Sequence, residues 1–180
     1  MNPQMDILYV SDTGHILTVF TRAGRPQQPE KVPDAFVGAG LHVRGLDVPP
    51  NAAPFTDYNN QDFIIPAGHV LFSSTDQTPS VLAAPRGSYI DANQKLHPLA
   101  QTGVTPTFLS PTLTITLTSA PAGALNYLVL IAQQSQGTPA MPLTGSITGT
   151  TALVTIPSLP AGSYYALVFV ATYSAKVLNI

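Results

Sequence analysis

Apolar and polar residues alternate most regularly in the second half of the chain. Residues 112–118 alternate threonine with aliphatic side chains, which is the period of a β-strand with one aliphatic face and one threonine face. Residues 125–132 and 164–171 are continuously apolar, which favours strands covered on both faces. Turn-type Pro and Gly sequences separate these runs from shorter candidate strands at residues 146–148, 152–156 and 175–178. The pattern predicts a β-sandwich of roughly six or seven strands.

The first half of the chain predicts paired strands joined by tight turns. Residues 7–10 and 15–21 flank the turn sequence Asp12-Thr13-Gly14. Residues 61–65 and 69–73 flank a second turn sequence around Pro66. We therefore expect two hairpins, because Asp, Gly and Pro are the residues that tight turns prefer. Both second strands open with a Gly-His pair, which is too short a similarity to establish a duplication.

The remaining patterns complete the predicted organisation of the chain. A further strand is expected at residues 41–46, between two long loops rich in Pro, Asn or Gln, and such loops are usually functional or ordered by a partner. No segment has helical periodicity over three turns, so the predicted fold class is all-β. We expect an N-terminal, β-hairpin-rich anchoring domain over residues 1–100 and a C-terminal β-sandwich over residues 101–180, with the boundary in the uncharged segment 97–106.

One sequence in the second half resembles a known family. The run Leu159-Pro160-Ala161-Gly162-Ser163-Tyr164 is similar to the L-P-A-G-x-Y approach to a late strand in bacterial and phage immunoglobulin-like or fibronectin-III-like domains. The resemblance implies an immunoglobulin-like sandwich in the C-terminal half. The Trp and the Cys pair of antibody domains are both missing, so only the general sandwich is implied. Members of that family serve in adhesion, spacing and decoration of phage particles, and the fold alone fixes no chemistry.

Charge is distributed very unevenly along the chain. Residues 1–95 hold all nine acidic residues and six of the seven basic ones, whereas residues 96–180 hold only Lys176. Ordinary soluble domains are about one-quarter charged. The surface of the second half must therefore consist of hydroxyls, amides, small residues and some apolar groups. Covering such a surface desolvates few ions, so the pattern predicts a subunit that is covered in an assembly.

Composition also excludes several classes of function. The net charge of −2 and the scattered basic residues provide no electrostatic surface for nucleic acid. The chain has no cysteine, which excludes disulfides and thiolate metal sites. Every apolar run is interrupted well short of the roughly 18 residues that a membrane-spanning helix needs. Residues 1–10 lack the features of a signal peptide, so we expect cytoplasmic synthesis and association with a virion or similar particle.

Two groups of residues are candidate sites of chemistry. Asp12-Thr13-Gly14 resembles the active-site triplet of aspartic peptidases, but Ser11 and His15 depart from that pattern on either side, and a hairpin turn explains the triplet better. The histidines at positions 15, 42, 69 and 97 could supply three zinc ligands, yet no pair has a local ligand spacing. No Gly-x-Ser-x-Gly sequence is present for a serine nucleophile. We therefore expect neither an enzyme nor a metal or other cofactor.

Six residues are candidates for contact with neighbouring proteins. Arginine pairs bidentately with carboxylates across interfaces, although ordinary solvated surface is an equal alternative. The two adjacent tyrosines of one predicted strand face opposite sides of the sheet, so one is expected in the core and the other at a hydrogen-bonded corner or an interface. The candidates are Arg22, Arg25, Arg44, Arg86, Tyr164 and Tyr165.

These observations together predict a non-enzymatic structural subunit of a large protein assembly, such as a phage capsid, a phage tail or a phage-derived injection particle. Its expected partners are copies of itself and other particle subunits. The alternative is a glycan-binding, adhesin-like module that uses Asn-, Thr- and Tyr-bearing loops. A more distant alternative is an aspartic-type peptidase acting through Asp12.

Overall fold

The computed structural model describes residues 5–21, 40–44, 62–75, 87–133 and 140–180. These residues form β-strands and one short 3-10 helix at Ala67–His69, with no α-helix among them, which confirms the all-β prediction. In chain order the strands are β1 (Met5–Val10), β2 (Ile16–Thr21), β3 (Gly40–Arg44), β4 (Asp62–Pro66), β5 (Val70–Thr75), β6 (Ser88–Ile90), β7 (Leu96–Pro98), β8 (Val104–Leu109), β9 (Thr112–Leu117), β10 (Leu125–Gln133), β11 (Met141–Ile147), β12 (Thr151–Thr155), β13 (Tyr164–Val170) and β14 (Lys176–Asn179).

The last seven strands form the predicted sandwich. One antiparallel sheet has the order β12-β9-β8, and the facing sheet has the order β11-β10-β13-β14. In an immunoglobulin constant domain the fourth strand joins the first, second and fifth. Here the fourth strand of the sandwich, β11, instead lies beside the third, β10. The other strands of this sandwich are divided with the first, second and fifth in one sheet and the third, sixth and seventh in the other.

The interior of the sandwich is built from side chains of alternate positions. In β9, Leu113, Ile115 and Leu117 point inward and are buried, as the strict alternation predicts. They pack with the inward side chains of the facing sheet, such as Val129 and Val168. Burying an aliphatic side chain of this size contributes about 1.5–3 kcal/mol, so this layer is a main source of stability.

Strands β10 and β13 are covered on both faces, which confirms the interpretation of their continuous apolar runs. Their other set of side chains, including Leu128 and Phe169, belongs to a second hydrophobic cluster. That cluster also contains N-terminal residues such as Val10, Leu17 and Phe63. The N-terminal strands therefore form a layer on the face of the four-stranded sheet that lies away from β8, β9 and β12. Hydrophobic contacts cross residue 100, the boundary expected from the sequence.

The N-terminal strands follow the prediction in part. Strands β1 and β2 form the expected hairpin, and β3 occupies the position expected for a separate strand. The second hairpin is wrong: β4 pairs with β3, whereas β5 pairs with β1 to give the sheet order β2-β1-β5. The 3-10 helix carries the chain between the two sheets. Phe63 and Ile65 of β4 are buried against the sandwich, which gives β4 a packing partner that a local turn sequence does not reveal.

The segment 97–106, predicted as a boundary, contains strand residues. It holds part of β7 and the start of β8, and Leu99 between them is buried. Ala100 forms a parallel bridge with Tyr173, and the amide of Ser174 donates to the Ala100 carbonyl at 2.8 Å. This segment is therefore tied to the corner between β13 and β14.

Gly14 occupies a position that only glycine fits. Its φ is +75°, and a Cβ atom would overlap the carbonyl oxygen of Ile90. We expect Gly14→Ala to lower the free energy of unfolding by about 2 kcal/mol. Alanine is strained at this positive φ, and its Cβ would push the β1–β2 turn away from β6. Chemical denaturation measures the change. The matched control is Gly123→Ala, whose Cβ would meet nothing within 4 Å, and equal losses in the two variants would contradict this account.

Candidate functional site

His15 is buried at a junction between the N-terminal sheet and the sandwich. Its Nε2–H donates to the carbonyl of Tyr173 at 2.6 Å, and its Nδ1 accepts from the Thr13 hydroxyl at 2.9 Å. Its ring meets Phe169 edge-on at a centroid distance of 4.9 Å. Burial, which disfavours the charged form, lowers the pKa of His15 from 6.5 to about 4. The imidazole is therefore neutral at pH 7, and its two hydrogen bonds link the β1–β2 turn to the backbone at Tyr173.

Asp12 and His69 are hydrogen-bonded to each other at the same end of the sheet. His69 Nδ1 lies 2.7 Å from Asp12 Oδ2, which also accepts from the Ser11 hydroxyl at 3.1 Å. The Ser11 amide donates to the His69 carbonyl at 3.0 Å. These contacts fasten the β1–β2 turn to the short helix before β5. The triplet at Asp12 is thus a hairpin turn, and the group beside its carboxylate is an imidazole. The peptidase hypothesis stays a prediction.

Asp91 and His97 stabilise the turn between β6 and β7. Asp91 Oδ1 accepts from the amides of Asn93 and Lys95 at 2.9 and 2.8 Å, while its Oδ2 lies 3.1 Å from His97 Nε2. The hydrogen bond from the Lys95 amide is the main cause that lowers the pKa of Asp91 below its ordinary value. The His97 ring stacks on Tyr89 at 5.2 Å. Each of these contacts stabilises the turn itself.

The histidines do not assemble a metal site in the part of the chain that the structure describes. His15, His69 and His97 each have a different partner, and no group of three or more His, Asp or Glu side chains within the described ranges could hold a metal ion. His42 lies on β3, and its side chain is outside the described set. The predicted absence of a cofactor stays a prediction.

The six candidate interface residues fall into different places. Arg22, Arg25 and Arg86 lie outside the described residues, and only the backbone of Arg44, paired with Asp62, is described. Tyr164 and Tyr165 face opposite sides of β13, as expected from strand geometry. Tyr164 is buried inside the sandwich, whereas Tyr165 is half-buried against the second cluster. Burial favours core packing for Tyr164, and the interface assignment of the others stays a prediction.

The most distinctive surface is the outward face of the sheet β12-β9-β8, which we call the outer face. It consists of seven threonines and two leucines, and it carries no charge. Its cross-strand rows, from β12 through β9 to β8, are Thr151-Thr116-Thr105, Leu153-Thr114-Thr107 and Thr155-Thr112-Leu109.

Leu109 and Leu153 set the outer face apart from an ordinary solvated sheet. They are 84% and 70% exposed, the two highest values among the large hydrophobic residues that the structure describes. Single exposed leucines are common on proteins, but these two lie on one sheet face whose nine described side chains include no charge. The sequence indicates the threonine face of β9. Strand β8 alternates as far as Phe108, but β12 reads Thr-Ala-Leu-Val-Thr, and three consecutive apolar residues do not indicate that Leu153 points outward.

These features are the basis for inferring a function. Within the described ranges, no helix is long and apolar enough to cross a membrane. The specific resemblance to phage immunoglobulin-like domains stays a prediction beyond the sandwich itself. Neither a scan against protein-family models nor a search of curated proteins finds a match to this chain.

Proposed function

We propose that this chain is a non-enzymatic structural subunit of a large protein assembly, such as a phage capsid or tail or a phage-derived injection particle. Its partners are copies of itself and other subunits of the particle, and it resides in that particle. The observation that carries the proposal is the uncharged outer face with its two exposed leucines.

The physical reason lies in the cost of covering a surface. Burying a charge costs several kcal/mol unless the charge is paired, whereas threonine exposes a methyl group and a hydroxyl that can find a partner in the interface. Interface cores are accordingly depleted of charged residues. The outer face can be covered without removing an ion from water, and its leucines gain about 25 cal/mol for each Å² they bury.

The rest of the nearly uncharged region supports the same role. One sheet of the sandwich is already covered by this chain's own N-terminal strands through the second cluster. One face of this nearly uncharged region therefore already forms a protein contact, with the N-terminal strands of the same chain. The outer face is on the other side of the sandwich, where no described residue covers it, and it offers the same kind of surface to a neighbour.

Association with a particle tests the proposal directly. Native source material is sedimented, and the fractions are analysed by quantitative mass spectrometry for this chain. The chain is expected in the fast-sedimenting particle fraction together with other subunits. A highly soluble monomer that never sediments or co-purifies with a particle would overturn the proposal.

A charge placed in the outer face is expected to block incorporation into the particle. Thr114 lies at the centre of the face, between Leu153 and Thr107. Tagged full-length chains carrying Thr114→Lys should be recovered in particles at least about tenfold less than the unmodified chain, because an unpaired ammonium would have to be desolvated. The matched control is Thr144→Lys, at an exposed position on β11 of the other sheet. Equal recovery of both variants would place the contact elsewhere.

A further inference from the structure

Among the strands that the structure describes, the sandwich has four edge strands, and they are not equally protected. They are β12 and β8 in one sheet, and β11 and β14 in the other. An edge strand exposes unpaired backbone N–H and C=O groups that can pair with another chain. Natural proteins block such edges with proline, with charge or by covering them.

Two of the edges carry a proline at a position that faces outward. The Thr118 amide donates to the Gly103 carbonyl, so by alternation Pro106 of β8 directs its backbone away from β9. The Ala171 amide donates to the Asn126 carbonyl, and the same alternation turns the backbone of Pro142 in β11 away from β10. Proline has no N–H, so each edge lacks a donor there.

The third edge carries the only charge of the second half. Lys176 begins β14, and its ammonium group lies 3.5 Å from the carbonyl oxygen of Gln101. Lysine on an edge strand opposes the approach of another strand, because pairing would desolvate the ammonium group.

The fourth edge, β12, has neither device. Its sequence is Thr-Ala-Leu-Val-Thr, without proline or charge. The Leu117 amide donates to the Thr150 carbonyl and the Ile156 amide donates to the Pro111 carbonyl, both at 2.8 Å. By alternation, Ala152 and Val154 bond to β9, while the backbone groups of the other three residues point outward. Those three are Thr151, Leu153 and Thr155.

We propose that β12 pairs antiparallel with β12 of a second copy of this chain, about a two-fold axis at Leu153. In this register Leu153 lies opposite Leu153 of the second copy, and each Thr151 lies opposite a Thr155. The outward N–H and C=O groups at these three positions then complete their hydrogen bonds across the axis. The interface is isologous, as expected for a dimer with two-fold symmetry.

The strand is complementary to itself in charge and in side-chain type. No charged residues oppose each other, and threonine pairs across antiparallel strands are favourable. The pairing covers the 70%-exposed Leu153 with its own equivalent. It joins the two outer sheets in the order β8-β9-β12-β12-β9-β8 and makes one continuous uncharged outer face across both copies. The inference deepens the proposed assembly role by naming one partner, and it rests on that role for its biological purpose.

The small contact sets the expected strength of the dimer. Five residues from each copy bury less than the 1,200 Å², approximately, of a standard stable interface. We therefore expect a dissociation constant on the order of 10–100 μM for the isolated chain. Many copies held together in a particle raise the local concentration and fill the site.

A matched pair of lysine variants tests the register. Leu153→Lys puts two like charges opposite each other across the axis and is expected to weaken the dimer at least about tenfold in sedimentation equilibrium. Leu109→Lys places the same charge on the same outer face but on the proline-blocked edge strand, so the dimer should persist. Both side chains are exposed, so both variants are expected to fold. Equal weakening by both variants, or no dimer in the unmodified chain up to sub-millimolar concentration, would overturn the proposal.

Cysteine cross-linking gives an independent result because the natural chain has no cysteine. Leu153→Cys should form a covalent dimer with a short bis-maleimide at concentrations where Leu109→Cys stays monomeric. Equal cross-linking of the two variants would refute pairing at β12. The outcome is separable from the proposed function: a chain that sediments with particles but is not cross-linked through position 153 retains the structural role and loses the two-fold strand pairing.

Discussion

Leu167→Ala is expected to lower the free energy of unfolding by about 3 kcal/mol. Leu167 is fully buried on β13, beside Leu130 on β10, in the cluster shared by the sandwich and the N-terminal strands. Removing a buried leucine side chain to the β-carbon costs the lost hydrophobic transfer plus the cavity that remains, typically 2–5 kcal/mol. The N-terminal strands should lose their support together with the sandwich, so denaturant unfolding followed by two probes should show one shared transition at lower denaturant.

The matched control is Leu109→Ala, because Leu109 is 84% exposed and its truncation removes little buried area. Its expected effect is within about 0.5 kcal/mol. Two separate transitions in Leu167→Ala, with the N-terminal strands unchanged, would show that the shared cluster does not couple the two parts. A loss for Leu109→Ala as large as that for Leu167→Ala would contradict the assigned burial.

Acid is expected to destabilise the fold through His15 by about 3 kcal/mol. The pKa of His15 is about 4 in the folded chain and 6.5 as an ordinary imidazole. Between these values the unfolded chain binds a proton that the folded chain excludes, so the free energy of unfolding falls as the pH falls from about 6.5 to about 4. A difference of about 2.5 pKa units at about 1.36 kcal/mol for each unit gives the expected loss.

His15→Gln removes the titration while keeping a polar side chain that can reach the Tyr173 carbonyl. Denaturation curves over the same pH range should show that the natural chain loses about 3 kcal/mol more than the variant. The comparison also cancels the other histidines, which remain in both proteins. The lowered pKa of Asp91 begins to affect stability only near the acidic end of this range, and Asp91 is present in both proteins, so its contribution cancels in the comparison. Identical pH dependence in the two proteins would show that His15 is not excluded from protonation.

The strands that the sequence predicts correctly are those with a regular pattern of apolar residues. Strand β9 alternates strictly, and β10 and β13 are continuously apolar because both faces are covered. In each of these strands the burial of the side chains follows a regular pattern along the sequence. That pattern can be recognised without knowing which strands pair with it. Strand β8 alternates too, but Pro106 counts against a strand at this position, because proline in a strand indicates an edge or no strand at all.

The partners of β4 and β5 and the contacts of the buried His15 could not be predicted. The turn around Pro66 fixes a change of direction, but the partners of β4 and β5 depend on Phe63 and Ile65 finding the sandwich surface. His15 binds a carbonyl 158 positions away, and nothing in the spacing of the histidines indicates Tyr173. The outer face was indicated for one strand only, because its two leucines stand out only when three strands are aligned in register.

The cluster shared by the N-terminal strands and the sandwich has a consequence for biosynthesis. Val10 and Leu17 leave the ribosome well before β10 and β13, the strands that cover them. Contacts between residues so far apart in the sequence cannot form until the late segment has been translated. The entropy cost of closing such long loops slows folding. The apolar side chains of the nascent N-terminal hairpin therefore stay exposed until β10 and β13 have been made, which favours aggregation of unfinished chains.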